Sequence, residues 1–168
     1  MVGSAATMPD EIAPTHLNAA GEVHMVDVGE KPVTARRAVA RALVRMSPDT
    51  ARRLRERDHH KGDAEASARV AGIMAAKRTP ELIPLCHAIA LTRVTVDIAW
   101  GDDGATLTAA AEARDRTGVE MEAMTAVSVA ALTLYDMVKG IERGVTIERI
   151  ELVEKSGGRT GTWTREGA

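Results

Sequence analysis

The chain has 168 residues, 45% apolar and 27% charged, which suits one globular domain and not a disordered chain. Its 22 basic and 24 acidic residues leave a net charge of −2, so no global basic field draws in nucleic acid or anionic lipid. With no Phe, one Tyr and two Trp there is no row of aromatic platforms for single-stranded nucleic acid, and the core must close on Ala, Val, Leu, Ile and Met.

A single cysteine, Cys86, excludes an intramolecular disulfide framework and a multi-cysteine zinc site, and it suits a reducing compartment. The longest uncharged stretch, Ala123 to Tyr135, falls short of the ~20 apolar residues of a membrane span and reads as a buried helix. No Lys or Arg precedes Lys31, so the basic start of a secretory signal is missing and a cytoplasmic location is expected.

Residues 1–16 are small and polar without periodicity and read as a loose arm; residues 17–161 read as one domain, and residues 162–168 as a tail. From Thr34 to Met46, Ala38, Ala40, Ala42, Val44 and Met46 fall on one face and Arg37, Arg41 and Arg45 on the other. A helical period competes there, but Ser47-Pro48 is the start of a new helix, which favours a strand before it. A short basic helix follows to about Arg57. Asp63 can cap a second helix, Ala64 to Arg78, and Pro80 and Pro84 punctuate a connector holding Leu85-Cys86-His87.

Thr92 to Trp100 alternates as a strand, Asp102-Asp103-Gly104 is a hairpin turn, and Thr106 to Arg114 returns. Thr117-Gly118-Val119-Glu120 fits a capping box ahead of a long helix to about Glu142, apolar almost all round. Val145 to Val153 is a last strand, and Lys155 to Gly161 reads as a mobile basic tail. The order β-α-α-β-β-α-β predicts an α+β fold: a ferredoxin-like plait, an antiparallel sheet with helices packed on one face.

Several clusters could carry chemistry, and each has a plain structural alternative. His59-His60-Lys61-Gly62-Asp63 places imidazole, ammonium and carboxylate at a helix start, where Lys61 could hold a phosphate or donate a proton; a solvated turn with an Asp cap is the alternative. A metal reading needs a third ligand such as His87, and adjacent histidines lack the i, i+4 spacing of a helical pair. Cys86 beside His87 could be a nucleophile next to its base, but packing accounts for it better. Glu120 and Glu122 sit in the first turn of the long helix, where the dipole alone could explain them.

Asp136 and Lys139, spaced i, i+3 and expected to be partly buried, are either a plain helix ion pair or a general acid–base couple. At ~1.5 Å per residue, Glu122 and Asp136 lie about 21 Å apart along the helix, too far for one small site in one chain. Either one pair is structural or two subunits bring opposite helix ends together, and the all-round apolar helix favours an oligomer with shared sites.

Taken in order, these strings resemble the MoaC family: His59-His60-Lys61-Gly62-Asp63, Leu82-Ile83-Pro84-Leu85-Cys86-His87, Thr117-Gly118-Val119-Glu120-Met121-Glu122-Ala123, Tyr135-Asp136-Met137 with Lys139, and Lys155-Ser156-Gly157-Gly158. The likeness begins near Leu17 and runs to about Gly161. The departures are small: Ala88 stands where the family commonly has Pro, and Arg159 where Lys is frequent.

The resemblance implies a homohexamer built as a trimer of dimers, with sites at the dimer interface. It also implies a lyase of molybdenum cofactor biosynthesis that rearranges the triphosphate of 3′,8-cyclo-7,8-dihydroguanosine to cyclic pyranopterin monophosphate and releases pyrophosphate. Protons move and electrons do not, so no redox cofactor is needed, and the resemblance carries over no metal ligand. By motif position the catalytic candidates are Lys61, Asp136 and Lys139, the two lysines being suited to donate protons if their surroundings lower their pKa. The substrate-binding candidates are Leu85, Cys86, His87, Glu120, Met121, Glu122 and, near the phosphates, Arg36. Two other classes remain: a metal-dependent phosphohydrolase using His59, His60, Asp63 and His87, and a non-catalytic anion-binding oligomer.

Overall fold

The computed structural model describes residues 20–56, 62–159 and 161–167. Five strands, β1 (Thr34–Arg45), β2 (Leu91–Trp100), β3 (Gly104–Asp115), β4 (Thr146–Ser156) and β5 (Trp163–Thr164), form one antiparallel sheet in the order β2-β3-β1-β4-β5. Without β5 this is the order of the expected plait. Helices α2 (Ala64–Ala76) and α4 (Glu120–Val138) pack on one face of the sheet and on each other. Helix α1 (Pro48–Arg55) follows β1, and α3 (Thr79–Leu82) is a single turn inside the segment read as a connector.

The alternation in β1 decides the sides. Ala38, Ala40, Ala42 and Val44 are buried beneath the helices. On the other face, Arg37 reaches Glu154 at 2.7 Å and Glu112 at 3.7 Å, Arg41 reaches Glu151 at 2.7 Å, and Arg45 reaches Asp103 at 2.6 Å and Glu148 at 3.3 Å. Exposed pairs contribute roughly 0–1 kcal/mol each. Their larger effect is on register, because a slip of one residue would turn the arginines into the core.

Alanine supplies 15 of the 25 residues in the buried core cluster, with Leu107, Leu134, Leu54 and Met46 as the larger pieces. Small side chains let backbones approach closely. At Gly72 of α2 a Cβ would meet the Ala126 carbonyl oxygen of α4 at 2.8 Å and the Ala130 Cβ at 3.2 Å. Helix α4 is long and apolar enough to cross a membrane by length and composition, but half of that stretch is buried inside the fold.

The caps follow the sequence at two helices and depart at the third. The Ser47 hydroxyl accepts from Thr50 N and donates to Glu142 at 2.8 Å, while Asp63 Oδ1 accepts from Ala66 N at 2.9 Å. The expected capping box ahead of α4 does not form. Val119 is the cap residue with no side-chain bond, and Glu120 turns its carboxylate over Gly118 and toward Lys155 Nζ, 3.4 Å away.

The segment after Val153 is also ordered differently from the expected mobile tail. Lys155 and Ser156 complete β4, opposite Ala38 and Arg37, and Trp163 and Thr164 fold back onto Lys155 and Glu154 as β5. Arg165 holds that return, with N donating to Val153 O at 2.8 Å and Nε to Leu152 O at 2.7 Å.

Candidate active site

Two adjoining clefts share the connector between β3 and α4. The wider, about 700 Å³, is lined by Lys31, Arg36, Arg37, Arg116, Lys155 and Arg159 among others. The narrower, about 480 Å³, is lined by Leu85, Cys86, His87, Met121 and Glu122, with Val26, Val28 and Ile89. Lys31, Thr117, Gly118, Glu120 and Lys155 border both. One cleft therefore has a cationic lip, and the other is a recess with two carboxylates, a thiol and an imidazole.

Each element delivers its residues for a local reason. The turn after α3, bent at Pro84, leads Leu85, Cys86 and His87 past the start of α4, where Met121 and Glu122 occupy the first turn. Glu122 is only 2% exposed, and burial pushes its carboxyl from 4.5 up to about 7, with Glu120 and Asp115 adding repulsion. A carboxyl with that value can carry or accept a proton near neutrality. Burial also raises the Cys86 thiol, and the Glu122 charge adds to the effect, so Cys86 is held away from the reactive thiolate form.

Arg36 reaches the wider cleft from β1. Its Nε donates to Asp115 O at 3.2 Å and its Nη2 to Arg116 O at 3.1 Å. The glycine pair of the Lys155-Ser156-Gly157-Gly158 string lies over it. Gly157 and Gly158 have φ of +95° and +73°, and a Cβ on Gly158 would stand 1.7 Å from Arg36 Nη1. Only glycine fits both the left-handed backbone and the contact.

The sequence-predicted residues thus separate into two groups. Leu85, Cys86, His87, Glu120, Met121, Glu122 and Arg36 border the joined clefts. Asp136 and Lys139 lie at the opposite end of α4, bonded to each other at 2.6 Å with both side chains more than half exposed. The partly buried setting expected for this pair is not found within one chain. Nor is the lowered Lys139 pKa that would suit a proton donor, since the hydrogen bond and charge of Asp136 raise it. Lys61, His59 and His60 lie outside the described residues.

Among the described residues, no three His, Cys, Asp or Glu side chains converge as a possible metal-ligand set. Lys31 carries no signal in the sequence, whereas Lys155 and Arg159 stand in a glycine-bearing basic string that could turn backbone N–H groups toward an anion but reads equally as a mobile tail. The glycines beside Lys155 were the one available signal, because positive φ draws that segment back over the cleft.

The MoaC family model matches residues 25–158. The cyclic pyranopterin monophosphate synthase of Thermomicrobium roseum is 58% identical over 154 residues, covering 90% of this chain and 93% of that protein. The protein of the same name from Novosphingobium aromaticivorans is 54% identical over 149 residues, covering 89% and 95%. Cyclic pyranopterin monophosphate synthase 2 of Mycobacterium bovis is 54% identical over 151 residues, covering 90% of each chain. With the matched span embracing the recess, all of the wider cleft but Arg159 and the far end of α4, the chain belongs to the MoaC family.

Proposed function

We propose that this enzyme converts 3′,8-cyclo-7,8-dihydroguanosine triphosphate to cyclic pyranopterin monophosphate with release of pyrophosphate, as a lyase of molybdenum cofactor biosynthesis in the cytoplasm. The observation that carries the reading is the junction of a cationic cleft with a recess lined by Glu122, His87 and Cys86. Lys31, Arg36, Lys155 and Arg159 offer charge to a polyphosphate and to the negative charge that develops when a ribose-derived hydroxyl attacks the α-phosphate. The base-derived half then reaches the recess, where carboxylates and backbone groups meet its amide and amine edges without stacking.

Proton transfer falls to Lys61 of one subunit together with Asp136 and Lys139 of another. The ~21 Å between Glu122 and Asp136 along α4 supports this, as do large apolar side chains on the helix layer, with Leu132 at 59% and Val70 at 56% exposure. A partner covering Asp136 and Lys139 would take the pair out of water, and that desolvation works against the raised Lys139 pKa, in the direction a proton donor needs. The assembly proposed is the trimer of dimers.

Incubation of the pure protein with the triphosphate should release pyrophosphate and form the pterin; an unchanged substrate would refute the reading. Mixing Lys61→Ala with Asp136→Ala subunits should restore part of the activity if the two residues meet across an interface. No recovery would place both in one chain.

A further inference from the structure

Residues 26–31 cross the mouth of both clefts as a strap: Val26 and Val28 line the recess, and Lys31 borders the recess and the cationic lip. The strap is folded as a turn, with Gly29 N donating to Asp27 Oδ1 at 2.8 Å and Lys31 N to Val28 O at 3.0 Å. A hydrogen bond from Arg116 Nη1 to Gly29 O at 2.7 Å links it to the body of the site. The Arg116 main chain is gripped in turn, since its carbonyl accepts from Arg36 Nη2 and Gly158 closes over the Arg36 guanidinium. A line of contacts from Gly158 through Arg36 and Arg116 to Gly29 therefore spans the wider cleft.

We propose that Arg116 is a positioning residue for the reaction: it ties the 26–31 strap over the cleft and so keeps Lys31 and the two valines in the wall. Its guanidinium acts on a peptide carbonyl of the strap, and the strap acts on the substrate. The consequence for catalysis rests on the function proposed above; the tie itself does not.

Hydrogen–deuterium exchange and steady-state kinetics on the full-length protein test this together. In Arg116→Ala, exchange over residues 23–33 should accelerate about tenfold without substrate while α4 exchanges as in the wild type, the scale of one hydrogen bond to a charged donor. The KM for the triphosphate should rise about tenfold with kcat within about twofold, and Arg116→Lys should recover most of both effects. Asp27→Ala, which loosens the turn without removing a cation, should reproduce the exchange and KM changes. A raised KM in Arg116→Ala with wild-type exchange in the strap would mean that Arg116 binds substrate directly, and would overturn the proposal. If the wild type left the triphosphate unchanged, the proposed function would fail while strap exchange still decided whether Arg116 holds residues 26–31.

Discussion

Replacing Glu122 by Gln should make the protein more stable in mild alkali and little different in mild acid. The carboxyl has a value of about 7 in the fold against 4.5 when free, chiefly because burial disfavours its charge. The folded state therefore binds a proton more tightly than the unfolded state. Its contribution to stability is whole below pH 4.5, is lost as pH rises to about 7, and stays lost above that. At about 1.4 kcal/mol per pH unit the full loss is about 3 kcal/mol, of which about 2 kcal/mol falls between pH 5 and pH 8. Gln carries no titrating charge and keeps nearly the same volume. Urea unfolding of both proteins at pH 5 and pH 8 measures the effect, as the change with pH in the stability gap between them. A gap that is the same at both values would show that Glu122 is not held above its ordinary range, and the recess would lose its proton-carrying carboxyl.

Gly158→Ala should lower unfolding free energy by about 1–3 kcal/mol and raise the KM, since the new methyl meets Arg36 as well as the left-handed backbone. Gly161→Ala has a similar φ of +66° but open space around it, so it should cost only the backbone part; equal losses in urea melts would remove the Arg36 contact from the account. Leu134→Ala, at the centre of the helix–sheet layer and fully buried, should cost about 2–5 kcal/mol by the same measurement. A loss under 1 kcal/mol would mean that the layer closes around the gap.

The strand assignment of Thr34 to Met46 was legible because alanines and arginines alternate there, and the same alternation set the face of the sheet. Ser47 and Asp63 were legible as caps because their role is decided within four residues. Glu120 was misread for the opposite reason. The capping box is a local rule, and Lys155, 35 residues further along, offers the carboxylate a charged partner instead. The ordering of Lys155 to Gly158 escaped notice because it depends on Arg36 in a distant strand, while glycines beside a lysine look mobile in isolation. Strand β5 has only two residues and no periodicity to detect; it exists because β4 presents an open edge. The site strings around Leu85 and Glu120 were recognisable, but their meeting in one recess, and the exposure of Asp136, belong to tertiary structure.

The alanine-built core has a consequence for how this protein tolerates change. Most interior positions carry a side chain that can shrink only to glycine, so truncation removes little, and the large cavity penalties are confined to a few sites such as Leu107 and Leu134. Growth is a different matter. At Gly72 one added methyl meets a backbone carbonyl that cannot retreat without shifting α4. Variation inside this fold is thus bounded from above by volume, and drift in its interior should run among Ala, Gly and Ser rather than toward larger residues.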